Sequence, residues 1–346
     1  MKKISIILLN YCTKSLIEKN ISNLLNAYEN CEIIFVDSGS SDGSADLVQE
    51  KYGTNSKVTL IRSKNNGIAS GYNLGLKKAT GDYILYLGTD AFPTKQALLS
   101  FVAYMDENPD VGLATGMLYL RDESIDKDAH RGFPTPWASL SHFLCLDKLF
   151  PRSKAFSGYY LGYRDISSVH EIDLCTSHFM FVRPSVHQKI GFWDENFWVF
   201  GEDVDFCYRV KQAGFKIMYL GNIKVLHYKG AAIGRNTSKD IDSALTLDFN
   251  SVDFKGGKIE KSTGSVDVEN KEKVSKVKVS NIKLWMKIKI AKESARAMRT
   301  FYKKHYIKKY PLPLTGLVFI GIWCTEKIKL ARIWLKTTYK LSSNIL

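Results

Sequence analysis

The stretch Glu32-Ile33-Ile34-Phe35-Val36-Asp37-Ser38-Gly39-Ser40-Ser41-Asp42-Gly43-Ser44 decides the fold. Residues 32–36 form a short apolar run, which predicts a buried strand. The run stops at a carboxylate and a Ser/Gly turn. Asp42-Gly43-Ser44 then supplies turn and cap chemistry for a helix predicted over 44–51. The same alternation surrounds it, with strands predicted at 4–9, 57–61 and 83–87 and helices at 15–28, 70–79 and 94–106. Strand–helix alternation through short turns predicts an α/β fold whose central sheet is mostly parallel and flanked by helices. Ligands of such sheets lie beyond the carboxyl ends of the strands. That rule singles out Asn10, Asp37 and the loop 88–93.

The chain has 346 residues, 45% hydrophobic and 24% charged, the balance of a globular protein with a core. Its formal charge of +14 points to a polyanionic partner: nucleic acid, an anionic membrane or a phosphorylated ligand. The six cysteines show no CxxC-type spacing, which argues against a zinc or dithiol site and fits a reducing cytoplasm. The apolar run after Lys2-Lys3 is too short for a secretory leader and suits a first strand.

Residues 119–172 look irregular, and regular structure is expected again from Leu174, with a strand at 179–183, a helix at 203–213 and a strand at 215–220. A polar stretch, 236–284, suggests an insertion or linker. Residues 285–346 are basic and helical in period, and 312–324 are apolar, too short for the roughly 20 residues that span a bilayer. Lysines and arginines alternate with apolar residues after it. This predicts an amphipathic extension that lies on an anionic membrane through residues 311–340. A helix packed on the folded domain with a solvated basic face is the rival. The expected organisation is therefore 1–235 as one domain, split into 1–118 and 119–235, then the linker and the extension.

Five segments carry chemistry. Asp37, with Ser38 and Gly39, leaves room for a flat base, and an ionised carboxylate accepts an imide N–H; a plain capped turn would show the same residues. Asn66-Gly67 through Asn73-Leu74-Gly75 follow a strand and open a helix, where phosphate is favoured. That segment lacks the P-loop ending and is not a dinucleotide fingerprint. Thr89-Asp90 ends a strand, and one carboxylate there holds a hard cation or caps a turn. Glu202, Asp203 and Asp205 open a helix next to Trp193, Phe197, Trp198 and Phe200, an aromatic setting that would raise a carboxylate's pKa. The macrodipole alone also favours acids there. His227 follows a strand, where a structural role is the commoner one for a histidine.

In this order, with Leu9-Asn10-Tyr11, Thr80-Gly81-Asp82-Tyr83 and Gly191-Phe192-Trp193-Asp194-Glu195, these segments resemble the family-2 glycosyltransferases over residues 3–235. The similarity is greatest to bacterial rhamnosyltransferase-like members. The resemblance implies a GT-A, Rossmann-like fold and inverting transfer of a sugar, rhamnose among the candidates, from a UDP- or dTDP-sugar to a lipid-linked or cell-surface glycan. It implies Asn10, Tyr11, Asp37, Ser38, Gly39, Asn66, Gly67, Asn73, Thr89 and Asp90 at the nucleotide. Asp203 is implied as the base with Glu202 in support, and Asp90 and His227 at Mg²⁺ or Mn²⁺. It also implies a cytoplasmic enzyme held peripherally at the inner face of the plasma membrane. Gly88-Thr89 stands where relatives often carry Asn or Asp and Pro, so the metal site is lean in acids. A nucleotidyltransferase and a catalytically impaired nucleotide- or glycan-binding relative are the alternative readings. Nucleic acid is not expected as a partner, because the basic excess is concentrated beside an apolar helix.

Overall fold

The computed structural model describes residues 1–120, 122, 124–229 and 284–342, with side chains through 336. Nearly the whole polar stretch expected at 236–284 lies outside the described residues; only Leu284 falls within them, where it opens a helix.

Nine strands make one sheet in the order β3-β2-β1-β4-β8-β6-β9-β5, with β7 paired to β9. The strands are β1 (Ile4–Asn10), β2 (Cys31–Asp37), β3 (Val58–Arg62), β4 (Tyr83–Gly88), β5 (Ala91–Phe92), β6 (Val111–Tyr119), β7 (Val169–Glu171), β8 (Phe179–Val182) and β9 (Lys216–His227). The first four run parallel to one another. β8 then inserts antiparallel between β4 and β6, and β5 and β7 pair antiparallel with β9. The sheet is therefore mixed, and the parallel character is confined to its β3-β2-β1-β4 half plus the β6–β9 pair. β8 is a short apolar run that follows a long irregular connection, so its direction had no local signal.

The helices are α1 (Lys14–Ala27), α2 (Ser44–Tyr52), α3 (Ile68–Leu76), α4 (Lys95–Glu107), α5 (Pro136–Phe143), α6 (Leu146–Leu149), α7 (Pro184–Ile190), α8 (Glu202–Gln212), α9 (Leu284–His305) and α10 (Leu312–Ser342). Residues 119–172, expected irregular, thus include α5, α6 and β7. Thr135 caps α5 by accepting from the Ala138 N–H, and Pro136 pre-sets its first turn.

β1, β2, β4 and β8 are buried along nearly their whole length, as expected where helices cover both faces. α3 lies close on β1 because two of its positions lack a Cβ. A Cβ at Gly71 would sit 2.3 Å from Leu9 Cδ1, and one at Gly75 2.3 Å from Ile7 Cγ2. A second apolar cluster joins Phe197 and Tyr208 to Ala297, Phe301, Tyr302 and Tyr306, which seats α9 against α8.

Candidate active site

The carboxyl ends of the parallel strands set the site. β1 and β2 end level, with Asn10 opposite Asp37. Asn10 Nδ2 donates to Asp37 Oδ1 at 2.7 Å and to Ser40 Oγ at 3.0 Å. The Ser40 N–H donates to Asp37 Oδ2 at 3.0 Å, and the Ser38 N–H to the Asn10 carbonyl at 2.9 Å. Thr13 Oγ1 bridges onward to Thr89 Oγ1 at 2.9 Å. Gly39 takes the left-handed conformation (φ 71°) that the turn requires. Tyr11 is exposed at the rim. Each Asp37 oxygen already accepts one bond and keeps a further lone pair.

Asp90 is the opposite case. It is fully buried, and neither carboxylate oxygen has a hydrogen-bond partner. His227 Nε2, also without one, lies 3.5 Å from Asp90 Oδ1. His227 Nδ1 is 3.0 Å from Asp126 Oδ2, and Lys229 bonds Asp126 Oδ1 at 2.6 Å. The imidazole is thereby fixed with Nε2 toward Asp90. His178, just before β8, completes a group of three whose ligand atoms all lie within 4.8 Å of one another. Gly88 leaves the space for that ring, because a Cβ there would come within 3.1 Å of His178 Cδ2.

Burial alone would raise the Asp90 pKa and lower that of His227. Their mutual attraction prevails, so Asp90 lies below the usual carboxylate range and His227 is pushed up to about 9, with Asp126 adding to the effect. Orphaned carboxylate oxygens facing two imidazoles fit a divalent cation, which would take the place of the imidazolium proton. One carboxylate and two nitrogens suit Mn²⁺ and its heavier neighbours better than Mg²⁺, which favours oxygen.

The three acids of α8 have three different fates. Asp203 Oδ2 is paired with Arg131 Nη2 at 2.8 Å in a buried contact, and its Oδ1 accepts the Val204 N–H at 2.9 Å. Arg131 is held in turn by the Asp128 carbonyl, to which its Nε donates at 2.8 Å. Glu202 Oε1 accepts from Ser177 Oγ at 3.2 Å, whereas Oε2 is buried without a partner. Burial, then the neighbouring Asp203 charge, pushes the Glu202 carboxyl well above the usual range. Asp205 bonds Arg209 and His305 and pairs with Lys304. Burial opposes ionisation there, but these partners hold its pKa down at about 2.

Of the aromatic residues expected around these acids, Trp193 stacks on Phe206 of α8 at 4.1 Å, Phe197 clusters with Tyr208 of α8 and with α9, and Lys289 sits over Trp198. The desolvation of Glu202 comes from the protein interior around Ser177 and Tyr72.

Other expected residues take structural positions. Asn73 gives its whole amide to the loop after α7: Nδ2 donates to the Trp193 carbonyl (3.0 Å) and Glu195 (2.8 Å), while Oδ1 accepts the Trp193 N–H (2.9 Å). Gly67 (φ 102°) lies under Trp198, whose carbonyl a Cβ would meet at 2.4 Å. Asn66 is exposed. Reasoning from sequence missed His178, Arg131 and Asp126. The first had one signal, a histidine immediately before an apolar strand. Arg131 and Asp126 sit in a connection without periodicity.

Residues 5–169 match the family described as Glycosyl transferase family 2. Poly-beta-1,6-N-acetyl-D-glucosamine synthase of Staphylococcus aureus is 25% identical over 220 residues, 63% of this chain and 48% of that protein. An uncharacterized glycosyltransferase of Haemophilus influenzae is 34% identical over 110 residues, 31% of this chain and 44% of that protein. The chain thus spans about half the length of the curated relatives it matches. Among solved structures, GalNAc-T7 with UDP, GalNAc and Mn²⁺ superposes with a TM-score of 0.50 at 13% identity, covering 66% of this chain and 44% of that one, a likeness of fold.

Proposed function

We propose that the chain, which matches the Glycosyl transferase family 2 over residues 5–169 and shares its fold with a solved glycosyltransferase, is an inverting glycosyltransferase using a UDP- or dTDP-sugar. The observation that carries the proposal is Asp90: a fully buried carboxylate with both oxygens unpartnered, beside His227 and His178, next to the strand ends that hold Asp37.

On this reading Asp37, oriented by Asn10 and Ser40, accepts the imide N–H that uracil and thymine share. Ser38, Gly39 and Thr89 shape the floor beneath the nucleotide, with Tyr11 at the rim, and Asn66 and Gly67 border it. Asn73 serves by fixing the 193–195 loop. Asp90, His178 and His227 would hold Mn²⁺ or Mg²⁺, which supplies charge to offset the diphosphate as it leaves. Asp203 accepts the proton of the acceptor hydroxyl, whose oxygen forms the new bond to the anomeric carbon. The bond from that carbon to the diphosphate oxygen breaks, and its electron pair leaves with the nucleotide. Arg131 keeps Asp203 aimed. Glu202, neutral at the same pH, avoids a second buried negative charge beside it.

The sugar is open between rhamnose, implied by the sequence resemblance, and an N-acetylhexosamine, suggested by the names of the relatives. The acceptor is a lipid-linked or cell-surface glycan. Residues 311–340 rest on the anionic inner face of the plasma membrane, with 1–235 as the transferase unit. No described helix is long and apolar enough to cross a membrane.

The test is a thermal-shift screen of UDP-GlcNAc, UDP-GalNAc and dTDP-rhamnose with Mn²⁺, with Mg²⁺ and with chelator. One nucleotide sugar should raise the melting temperature, and only with the cation, because a ligand of the native state stabilises it. If none does so under any condition, the proposal fails.

A further inference from the structure

α5 is amphipathic in the wrong direction for a soluble protein. Its small residues, Ala138 and Ser141, face the interior, while Trp137, Leu140, Phe143 and Leu144 recur at helical spacing on the outside and are each about half exposed. Leu149 and Phe150, from α6 and its end, add two more exposed side chains, at 68% and 47%. Single exposed apolar residues are ordinary, but six within one hairpin make a patch that requires a partner.

The patch is continuous with the C-terminal helix. A groove of about 300 Å³ between them is lined by Thr135, Pro136, Trp137, Leu140, Tyr310 and Leu314. Beyond it α10 turns Thr315 and Ile322 inward and leaves Leu317, Ile320, Trp323 and Ile328 outward. Gly316 and Gly321 on that helix face open space.

The charge around both elements has one sign. Over residues 136–155 the basic residues are Lys148, Arg152 and Lys154, and the single acid, Asp147, is buried and bonded to His142. Over 308–336 the basic residues are Lys308, Lys309, Lys327, Lys329, Arg332 and Lys336, and the one acid, Glu326, is paired with Arg299. An apolar face whose own segments carry cations and no exposed acid complements an anionic bilayer. A soluble protein partner would need matching acids around an apolar centre.

We propose that the α5–α6 hairpin is a second membrane-inserting element, forming one footprint with α10 on an anionic phospholipid surface. This rests on the proposed membrane contact of 311–340 and extends it to a part of the chain far away in sequence. It also links the footprint to the site. Arg131, which holds Asp203, lies five residues before α5 begins, and Phe133 between them packs on Tyr208 of α8. The acceptor side of the cleft therefore opens near the bilayer, where the sugar end of a lipid-carried acceptor would be found.

The experiment is co-flotation of the full chain with liposomes of phosphatidylcholine alone and with added phosphatidylglycerol. Two double variants are compared, Leu140→Glu with Phe143→Glu on α5 and Leu317→Glu with Ile320→Glu on α10. Thermal melts confirm that each folds. Wild type should float with the anionic liposomes only, and each double variant should bind at least about tenfold more weakly, since each loses two inserting apolar side chains and gains two charges that the lipid repels. Loss in the α10 variant with full binding in the α5 variant would overturn this inference and leave the contact through 311–340 standing. No binding by wild type would overturn both. Light scattering that shows a dimer dispersed by the α5 substitutions, with no liposome binding, would assign the face to a second copy of the chain instead.

Discussion

Asp37 ends β2 and Asp90 follows β4, both at the carboxyl end of the parallel strands, yet their surroundings are opposite. Asp37 has its oxygens tied by Asn10 and the Ser40 N–H, so its orientation is set before any ligand arrives. Asp90 is buried deeper and has no hydrogen-bond donor at all, only a histidine at 3.5 Å. A buried carboxylate left in that state is costly unless something charged occupies the space in front of it. On the proposed function the contrast separates two tasks: a preorganised group would recognise a neutral, hydrogen-bonding base, whereas an unsatisfied one would receive a cation.

Substitution should break this contrast in a definite order. Asp90→Asn should have the largest effect, because it removes the one carboxylate of the cation site. Turnover should fall by about 10⁴-fold, and the Mn²⁺-dependent rise in melting temperature should vanish. If the Mn²⁺ response persists, the histidines and Asp126 hold the cation without Asp90. Asp203→Asn should come next, lowering kcat by about 10³-fold while nucleotide binding in calorimetry stays close to wild type. Full turnover would remove Asp203 from the role of base.

Asp37→Asn should act on affinity. Its new amide donors would face the Asn10 amide or the Ser40 N–H, a mismatch worth about 1–3 kcal/mol, so UDP binding should weaken by about tenfold or more. The Mn²⁺ response measured without nucleotide should survive. Its loss would mean that the two carboxylates form one site. The smallest effect is expected for Glu202→Gln. Because the native carboxyl is raised, its contribution to stability is complete below the ordinary glutamate pKa of about 4.3 and declines as pH climbs toward its raised value. The variant lacks that slope. Melting curves at rising pH should show it gaining on wild type between about pH 5 and neutrality, and parallel curves would show that Glu202 is not held neutral.

The legibility of the molecule follows the range of the forces involved. β1 to β4 and the helices between them were readable because apolar period, turn residues and caps act within a few residues. Asp42 illustrates this, accepting from the Ser44 N–H and hydroxyl in the turn where it was expected. The irregular connection was less readable. α5 and β7 lie inside it, and Arg131 gains its meaning only from Asp203, 72 residues away. The helix-opening acids show the same limit. Local pattern alone did not separate the three neighbouring carboxylates, whereas their partners in the fold do: Asp203 pairs with Arg131, Glu202 is buried with its pKa raised, and Asp205 ties α8 to His305 and Lys304.

By itself the sequence determined the α/β alternation, the candidate acids Asp37, Asp90 and Asp203, and the basic, apolar character of the C-terminal helices. Those properties reside in local pattern and side-chain chemistry. The tertiary structure decided the antiparallel insertion of β8, the placement of His178 over Gly88, the pairing of Arg131 with Asp203, and the outward turn of the apolar side of α5. Each of these depends on which distant segments meet and on how much water is excluded where they do. Burial and pairing set whether a carboxylate is charged, neutral or waiting for a cation, and neither is a property of the chain read in one dimension.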